Sequence, residues 1–500
     1  MKIKLTIINL NLVAVLMVMA LLLVGSDQAW SRRHKQLPQP TPTSAVPLYG
    51  EDASATIFPN DDDTRRPGSA TQETKLNTEP IDQLQDLHNP IRVLIYQGSG
   101  SVKLRTVAEP SPSLYPASYR FDSDNLIIDG LLSEASECEI KLKSNGEIFS
   151  CAAGYVLQVR GTLYRGCIKV ERDVDSFKLI NYVALEDYLR GVVPKELLCD
   201  SLEAVKAQAV VARTYALARC FSNTTYDVDC GTRSQVYGGA SAEAAISDRA
   251  VAETNGLVLT YHSKLANQTL YHSACGGKTE SPLYVYGSYS EPYLMSVDCI
   301  DEQGVADCAS SPYASWQARW SKDELGQELS QYFGKRLGSV VGLEVVEQGP
   351  SGRVAKLKVH FENDSTMLLE YGAIRSALRF KDAAGNVCSL PSAKFSITEG
   401  LFESPEAKIA HSEQMTPIMG QVLNLVEAEK DLEEEIADLR QPDKQSNYVT
   451  LSGQGWGHGV GMCQWGAMGM AKRGKDYRQI LARYFVDTKI DSLENLVLDK

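Results

Sequence analysis

Short runs in which apolar and polar residues alternate dominate the chain from residue 91 to about residue 185. The runs IRVLIYQ, YVLQVRG and FKLINYVAL are separated by turn residues, and the pair Asn145 and Gly146 is typical of a β-hairpin. This alternation predicts a β-rich lobe over residues 91–185. The same pattern over residues 345–369 predicts another hairpin.

Helical spacing replaces the alternation after this lobe. In the Ala-rich run that follows residue 200, the predicted buried stripe consists of Val205, Ala209, Ala212 and Ala216. Asp200 and Glu203 have the spacing of a capping box, so we expect the helix to begin there. We expect a turn at residues 191–194, because the proline in it lacks a backbone donor. Glu196 would then lie at a junction between turn and helix.

A second helical pattern occupies residues 401–447. Apolar residues repeat at heptad spacing from Ile418 until Pro442 stops the run. Glu429 takes one of the apolar positions and weakens a coiled-coil interpretation. We therefore predict an amphipathic helical insertion that packs on its own domain, with a helix of another protein as the alternative partner.

The first 90 residues fall into two compositions. Residues 1–30 contain two lysines and then a long apolar run, which is typical of a signal peptide or a single N-terminal membrane anchor. Residues 31–90 are rich in Pro, Thr, Ser and Asp and hold too few large apolar residues to fold, so we expect a disordered linker. We therefore expect an exported protein, in the periplasm or at the extracytoplasmic face of the membrane, either secreted or anchored by residues 1–30.

Charge and cysteine content narrow the function classes. The formal net charge is -13, and this acidic balance gives no support for nucleic-acid binding. Eleven cysteines are compatible with disulfides in an exported protein. Cys138 with Cys151, and Cys220 with Cys230, are plausible local pairs. The odd total leaves at least one thiol without an intramolecular partner.

Four separated stretches carry the candidate chemistry. They are NYVALEDYLRGVVPKELL, SQVYGG, YHSACGGKTES and GQGWGHGVGMCQWGA. Together, and in this order, they resemble the SpoIID/LytB family over about residues 91–488. The resemblance implies an α+β, SpoIID-like catalytic domain over residues 91–500. The helical insertion at 401–447 departs from the family's pattern.

In this family the sporulation member is a peptidoglycan lytic transglycosylase, and LytB members enhance amidases. Glu196 falls where the family keeps its catalytic acid. The resemblance implies cleavage of MurNAc-GlcNAc strands, typically stripped of peptides, to 1,6-anhydro ends, in cell-wall remodelling, division or sporulation. Glycosidases usually need two carboxylates. A lytic transglycosylase can use one, because the sugar's own C6 hydroxyl attacks and Glu196 would first donate a proton and then accept one.

The protonation state of the Glu196 carboxyl group depends on two opposing effects. Desolvation by neighbouring apolar residues would raise its pKa, whereas a helix start nearby would stabilise the anion. Other side chains of the four stretches are expected to contact the substrate, namely Lys206, Arg213, Gln235, Tyr237, His272, Ser273, Glu280, Trp456, His458 and Gln464. Lys206 or Arg213 could pair with the lactyl carboxylate of MurNAc. For His272, a buried structural role is an equal alternative.

The expected reaction requires no cofactor. The stretch SQVYGG lacks the His-Cys pair that precedes its Gln in the family's zinc-carrying members, so a zinc site of that kind is in doubt. A different structural zinc site could be formed by Cys275, Cys299, Cys308 and Cys463. Two disulfides among these four cysteines are an equal alternative. In either case we expect them to hold the site rather than to react.

Two other functions remain open. The LytB branch suggests a non-catalytic peptidoglycan-binding enhancer of an N-acetylmuramoyl-L-alanine amidase. A purely structural wall-binding protein is the third hypothesis. The expected partners are peptidoglycan glycan strands, a cell-wall amidase in the second case, and the membrane through the N-terminal segment.

Overall fold

A computed structural model describes residues 90–108, 130–132, 137–140, 148–151, 155–220, 225–287, 291–382, 385–399 and 447–498. The predicted signal or anchor segment, nearly all of the linker and nearly all of the helical insertion lie outside the described residues. Within the described ranges, no helix combines the length and apolar content that a membrane crossing requires.

Strands dominate the first part of the described chain. They are β1 Ile91–Gly98, β2 Val102–Ala108, β3 Gly130–Leu132, β4 Glu137–Ile140, β5 Ile148–Cys151, β6 Tyr155–Val159, β7 Thr162–Tyr164, β8 Cys167–Arg172 and β9 Phe177–Val183. The later strands are β10 Val228–Asp229, β11 Leu257–Tyr261, β12 Lys264–Leu265, β13 Tyr271–His272, β14 Trp316–Ser321, β15 Val340–Gln348, β16 Val354–Phe361, β17 Thr366–Glu370, β18 Phe380–Lys381, β19 Val387–Cys388, β20 Phe395–Glu399, β21 Tyr448–Gly453, β22 Met462–Cys463 and β23 Lys489–Ser492.

Helices follow the first strands and then alternate with them. They are α1 Leu185–Glu196, α2 Leu202–Leu217, α3 Ala245–Glu253, α4 Leu283–Tyr286, α5 Lys322–Phe333, α6 Gly372–Ala377, α7 Gln464–Lys472, α8 Tyr477–Tyr484 and α9 Leu493–Leu498, with a 3-10 turn at Gly239–Ala242. This mixture of helix and strand agrees with the predicted α+β class.

The first nine strands form the sheets that the alternating pattern predicted. A six-stranded sheet has the order β10-β1-β9-β8-β5-β3, and a four-stranded sheet has the order β4-β2-β6-β7. In β2 the alternation is visible in the burial, since Val102 and Leu104 are buried while Lys103 and Arg105 are exposed. The apolar faces of these sheets share one core with α1 and α2.

The turn predicted at residues 191–194 is wrong, because these residues belong to α1. Tyr188, Leu189 and Val192 are fully buried, and their spacing of one and four positions gives the helix an apolar face. Pro194 lies two residues before the end of the helix, so its missing N–H costs a single backbone hydrogen bond. Gly191 allows a close contact, since a Cβ there would lie 2.5 Å from the ring of Tyr237.

Helix α2 is the centre of the domain. The predicted stripe is confirmed, and every residue from Ala204 to Ala216 is buried except Lys206, as expected for a helix surrounded by other elements. The predicted capping box is wrong. Ser201 is the N-cap and accepts no side-chain cap bond, and Oε2 of Glu203 instead accepts from the backbone N–H of Tyr477 at 2.9 Å.

A second region of sheet and helix packs around its own core. It contains the three-stranded sheets β15-β16-β17 and β14-β21-β20, and α5 and α6 cover them. The hairpin predicted at residues 345–369 is therefore part of a three-stranded meander. Helix α5 begins with a capping box in which Ser321 and Glu324 bond each other's backbone N–H.

Candidate active site

Glu196 is the last residue of α1, and two groups hold its carboxyl group. Its Oε1 accepts a hydrogen bond from the backbone N–H of Val236 at 2.6 Å, and the hydroxyl of Tyr271 donates a second one. The residue as a whole keeps some exposed surface, whereas Val193 and Leu197 beside it in the sequence are buried. The carboxyl group therefore has a fixed orientation at the end of a buried helix.

A chain of hydrogen bonds sets the direction of the Tyr271 hydroxyl. Tyr188 donates from its hydroxyl to Oε1 of Gln235 at 3.1 Å, and Nε2 of Gln235 donates to the Tyr271 hydroxyl oxygen at 3.2 Å. Because that oxygen accepts from Gln235, its own proton is available to Glu196. Tyr188 and Gln235 are fully buried, so this chain is a fixed part of the domain.

Burial raises the pKa of Glu196 from 4.5 to about 7. Loss of water penalises the charged form, while the hydrogen bonds from Val236 and Tyr271 act in the opposite direction because they stabilise the carboxylate. The nearest helix terminus is the C-terminal end of α1, where the helix dipole disfavours an anion, and not the helix start that the sequence suggested. A carboxyl group that titrates near neutral pH can both donate and accept a proton.

Gln464, the first residue of α7, connects a distant stretch of the chain to Glu196. Its Nε2 donates to the backbone carbonyl oxygen of Glu196 at 2.9 Å and to Oε1 of Gln208 at 3.3 Å. Gln464 and Gln208 are both buried. These contacts join α1, α2 and α7, so the position of the carboxyl group depends on where α7 begins.

The two Gly-rich stretches form one wall of the site. Strands β13 and β22 pair in parallel, with Tyr271 opposite Met462 and His272 opposite Cys463. A backbone bridge between Ala274 and Trp456 continues the contact. Tyr271, which bonds Glu196, is therefore held by the second stretch through backbone pairing.

Comparison with known proteins finds a family model over the part of the chain that contains Glu196. The model of the SpoIID family, described as stage II sporulation protein, matches residues 173–261, which include β9, Glu196 and all of α2. A second model, a domain of unknown function named DUF8618, matches residues 297–402. The SpoIID match thus covers the acid and the helices that position it.

Three curated relatives extend over more of the chain. An uncharacterised protein of Brachyspira hyodysenteriae is 28% identical over 381 residues, which are 73% of this chain and 84% of the relative. The amidase enhancer of Bacillus subtilis is 29% identical over 318 residues, 61% of this chain but 40% of that protein. Stage II sporulation protein D of Bacillus subtilis is 26% identical over 333 residues, 63% and 76% of the two chains. The resemblance to the SpoIID/LytB family is confirmed.

Within this SpoIID-like site, the two predicted cationic ligands already have partners. Arg213 is fully buried and makes a two-pronged ion pair with Glu186, at 2.7 Å to each carboxylate oxygen. Lys206 pairs with Glu203 at 2.9 Å and with Glu253 at 2.6 Å. The positive charges of Arg213 and Lys206 are therefore compensated by carboxylates of the protein. These ion pairs do not support the predicted role of either residue in binding the lactyl carboxylate.

Tyr237 and Gln235 are also internal. The hydroxyl of Tyr237 donates to Oδ1 of Asn181 at 2.9 Å, and its ring packs 5.0 Å from that of Tyr188. Gln235 is occupied by Tyr188 and Tyr271, as described above. Both residues are therefore held inside the domain by other side chains. Gln235 orients the Tyr271 hydroxyl beside Glu196, and the predicted contact of Gln235 and Tyr237 with substrate stays a prediction.

The two histidines of the motifs are neighbours, with ring centroids 5.5 Å apart. Nδ1 of His458 accepts from the backbone N–H of Val460 at 3.0 Å, so its Nε2–H donates to the carbonyl of Tyr271 at 2.9 Å. Burial lowers the pKa of His458 to about 3 and that of His272 well below its ordinary value. Both rings are neutral, and Nε2 of buried His272 has no hydrogen-bond partner among the described residues.

Of the remaining predicted contacts, Trp456 is half-buried. Its ring centroid lies 4.0 Å from that of Tyr313, and the two rings are tilted by 42°. Glu280 is fully buried, and its Oε2 accepts from the hydroxyl of Ser351 at 2.6 Å. Ser273 contributes its backbone carbonyl, which accepts from the N–H of Trp465. Stacking of a sugar on Trp456 stays a prediction.

The cysteines divide into separate groups. Cys220 and Cys230 are free thiols, so the local pair predicted from their spacing is not formed. The predicted pair of Cys138 and Cys151 concerns side chains outside the described part. The sulfur atoms of Cys275, Cys299, Cys308 and Cys463 lie within 4.8 Å of one another.

Sequence reasoning missed the two groups that bond the acid. Tyr271 is the first residue of a stretch already singled out, but its hydroxyl was not among the predicted site groups. The donor at Val236 is a backbone N–H, which no side-chain pattern reveals. The available signal was the family resemblance, which groups the stretches with Tyr271 and SQVYGG with the stretch that contains Glu196.

Proposed function

We propose that this protein is a peptidoglycan lytic transglycosylase with Glu196 as its single acid and base. The SpoIID match and the relatives support a cell-wall-related role. The observation that carries the finer proposal is the environment of Glu196, a desolvated carboxyl group with a pKa of about 7. Both groups that act on its carboxyl group, the N–H of Val236 and the hydroxyl of Tyr271, are neutral, which suits a reaction with one carboxyl group.

The chemistry needs two proton transfers at Glu196. In the first, the protonated carboxyl group donates to the glycosidic oxygen as the bond from C1 of MurNAc to that oxygen breaks. In the second, the C6 hydroxyl of the same MurNAc attacks C1 and gives its proton to the carboxylate. The products are a 1,6-anhydro end and a free GlcNAc hydroxyl, no water is consumed, and Glu196 returns to its starting state.

The surroundings of Glu196 suit each half of this cycle. Before the first step, burial favours the neutral acid. After it, the N–H of Val236 and the hydroxyl of Tyr271 stabilise the carboxylate until the second proton arrives. Because the pKa of Glu196 is near neutral pH, its carboxyl group can donate a proton in the first step and accept one in the second without a large free-energy cost.

The test uses purified wild type, Glu196→Gln and Glu362→Gln, with peptide-stripped glycan strands as substrate. Glu362 is an exposed carboxylate on the hairpin region and serves as the matched control. We expect mass spectrometry to detect 1,6-anhydro sugars from the wild type and from Glu362→Gln only. Equal product from Glu196→Gln would remove Glu196 from its role, and no product from any of the three proteins would contradict the enzyme.

The second candidate function is that of a non-catalytic enhancer of a cell-wall amidase. The 29% identity to the amidase enhancer of Bacillus subtilis favours this candidate. An enhancer would increase amidase turnover on intact peptidoglycan, and Glu196→Gln would not change that increase. A purely structural wall-binding protein would pellet with peptidoglycan and alter neither reaction. The proposed partners are therefore glycan strands and, for the second candidate, an amidase.

We infer that the protein acts outside the cytoplasm, either secreted or anchored, because peptidoglycan is found there and residues 1–30 have the composition of a signal or anchor segment. Fractionation of cells that produce the full chain tests this inference. Recovery in the cytoplasmic fraction would contradict it.

A further inference from the structure

Four buried thiols converge beside the wall of the site. Cys275 follows β13, and Cys463 ends β22. Cys299 and Cys308 come from one short loop, in which a backbone bridge joins Ile300 and Ala306. All four residues are at most 1% exposed, all are free thiols, and their sulfur atoms lie within 4.8 Å of one another.

We propose that Cys275, Cys299, Cys308 and Cys463 bind one zinc ion as four thiolates. With Zn–S bonds of about 2.3 Å, the sulfurs of a tetrahedral site are roughly 3.8 Å apart. Sγ of Cys275 and Sγ of Cys308 are 3.7 Å apart, and no sulfur pair in the group exceeds 4.8 Å. Four sulfurs this close enclose a single ion, whereas a disulfide would need a separation of about 2.05 Å.

Three donors surround the sulfurs, as thiolates require, and one acceptor, the carbonyl oxygen of Ser273, lies 3.7 Å from Sγ of Cys463. The backbone N–H groups of Cys275 and Gly466 each point to Sγ of Cys463 at 3.2 Å. The hydroxyl of Tyr484 lies 3.1 Å from Sγ of Cys299. Second-sphere donors of this kind orient metal ligands and offset their negative charge.

Buried positive charge supports an anionic centre at this position. Arg353 is fully buried and donates from Nη2 to the carbonyl of Cys275 at 3.0 Å. Nζ of Lys394 donates to the carbonyl of Gly276 at 2.5 Å. Glu280 supplies one carboxylate near both cations, and a zinc ion with four thiolates carries a net charge of -2. Arg353 is buried and Lys394 is half-buried, and a centre of charge -2 beside them would offset part of a positive charge that is costly to bury.

The zinc site would also determine where α7 begins. Cys463 is the N-cap of this helix, and the next residue, Gln464, bonds the carbonyl of Glu196. A Cβ at Gly466 would lie 2.2 Å from the hydroxyl oxygen of Tyr484 and 2.5 Å from Sγ of Cys299. Glycine therefore lets the first turn of α7 lie against the metal site. This link to Glu196 rests on the proposed function, whereas the binding of zinc does not.

The direct test is metal content and thiol state of the full chain, purified without chelator. We expect one zinc per chain, measured by elemental analysis, in the wild type and in the controls Cys167→Ser and Cys388→Ser. Cys167 and Cys388 are cysteines that lie outside the group of four. We expect at least a tenfold lower zinc content in Cys299→Ser and in Cys463→Ser, whose folding is checked by circular dichroism.

Wild-type protein gives an independent readout if those variants do not fold. Zinc is removed from the folded protein with a chelator, and Co²⁺ is added. We expect the visible bands of tetrahedral cobalt and the near-ultraviolet charge transfer of cobalt thiolates, both lost on competition with zinc. Two results would overturn the proposal. The first is metal-free protein in which the four thiols react with an alkylating reagent only after reduction, because this would show disulfides. The second is native metal-free protein in which all four thiols are alkylated and which binds no Co²⁺. Neither measurement depends on glycan cleavage, so failure here is distinct from failure of the proposed enzyme.

Discussion

Gln464 donates a hydrogen bond to the backbone carbonyl oxygen of Glu196 at 2.9 Å, across 268 positions of sequence. This single contact lets the C-terminal Gly-rich stretch control the position of a carboxyl group that ends another helix. The two hydrogen bonds of its Nε2 favour a positioning role for Gln464 in the proposed site, and its predicted contact with substrate stays a prediction.

Replacement of this amide tests that role. In Gln464→Ala we expect kcat on peptide-stripped glycan to fall roughly tenfold, equivalent to about 1.4 kcal/mol, with little change in KM. Gln327→Ala, at an exposed position of α5, is the control. A raised KM at unchanged kcat would instead make Gln464 a substrate contact, as the sequence suggested.

The Tyr271 hydroxyl should set the pH dependence of the reaction. Its hydrogen bond stabilises the Glu196 carboxylate, so Tyr271→Phe should raise the pKa of Glu196 above its value of about 7. Activity that needs the protonated acid would then persist to higher pH, and the alkaline limb of the profile of kcat against pH would move upward. Tyr332→Phe, which removes a hydroxyl bonded to Ser376, should leave the profile unchanged. A downward shift in Tyr271→Phe would contradict this arrangement.

The raised pKa of Glu196 should also appear in the free energy of unfolding. Between pH 4.5 and about 7 the folded protein holds a proton that the unfolded chain has lost, so stability falls as pH rises through this window. Glu196→Gln cannot ionise. We expect it to match the wild type below pH 4.5 and to exceed it above pH 7 by up to about 3 kcal/mol. Urea unfolding at pH 4 and pH 8 measures the difference, and equal stability at pH 8 would contradict a desolvated Glu196.

Arg213 should be important for stability and not for ligand binding. Arg213→Leu leaves Glu186 charged and buried, so we expect a loss of about 3 to 5 kcal/mol in the free energy of unfolding. The double variant Arg213→Leu and Glu186→Leu should recover a large part of that loss, because neither charge then remains unpaired. A stable Arg213→Leu that binds glycan weakly would restore the ligand hypothesis.

Local patterns in the sequence determined much of the fold. Short runs between turn residues identified β1, β6 and β9, although β1 and β9 are buried on both faces and not on every second residue. Periodicity identified the buried stripe of α2, because residues three and four positions apart lie on the same face of a helix. The four motif stretches and their order identified Glu196, since the family resemblance depends on residue identity and not on contacts.

Where sequence reasoning failed, a distant partner decided the outcome. Glu203 has the spacing of a capping residue, yet it binds the backbone of Tyr477, which is 274 positions away. Pro194 suggested a turn, but the apolar face of α1 is buried, and that burial outweighs one lost hydrogen bond.

Only the tertiary structure could assign the side chains of the site. Arg213 and Lys206 looked like free cations until folding placed Glu186 and Glu253 beside them. The same is true of the cysteines at 275, 299, 308 and 463, because their spacing in the sequence does not show that their sulfur atoms lie within 4.8 Å of one another. Periodicity is a property of neighbouring residues and can be read from one strand or helix. The partner of a charge, a hydroxyl or a thiol is chosen by the packing of elements far apart in the sequence, and no local pattern contains that information.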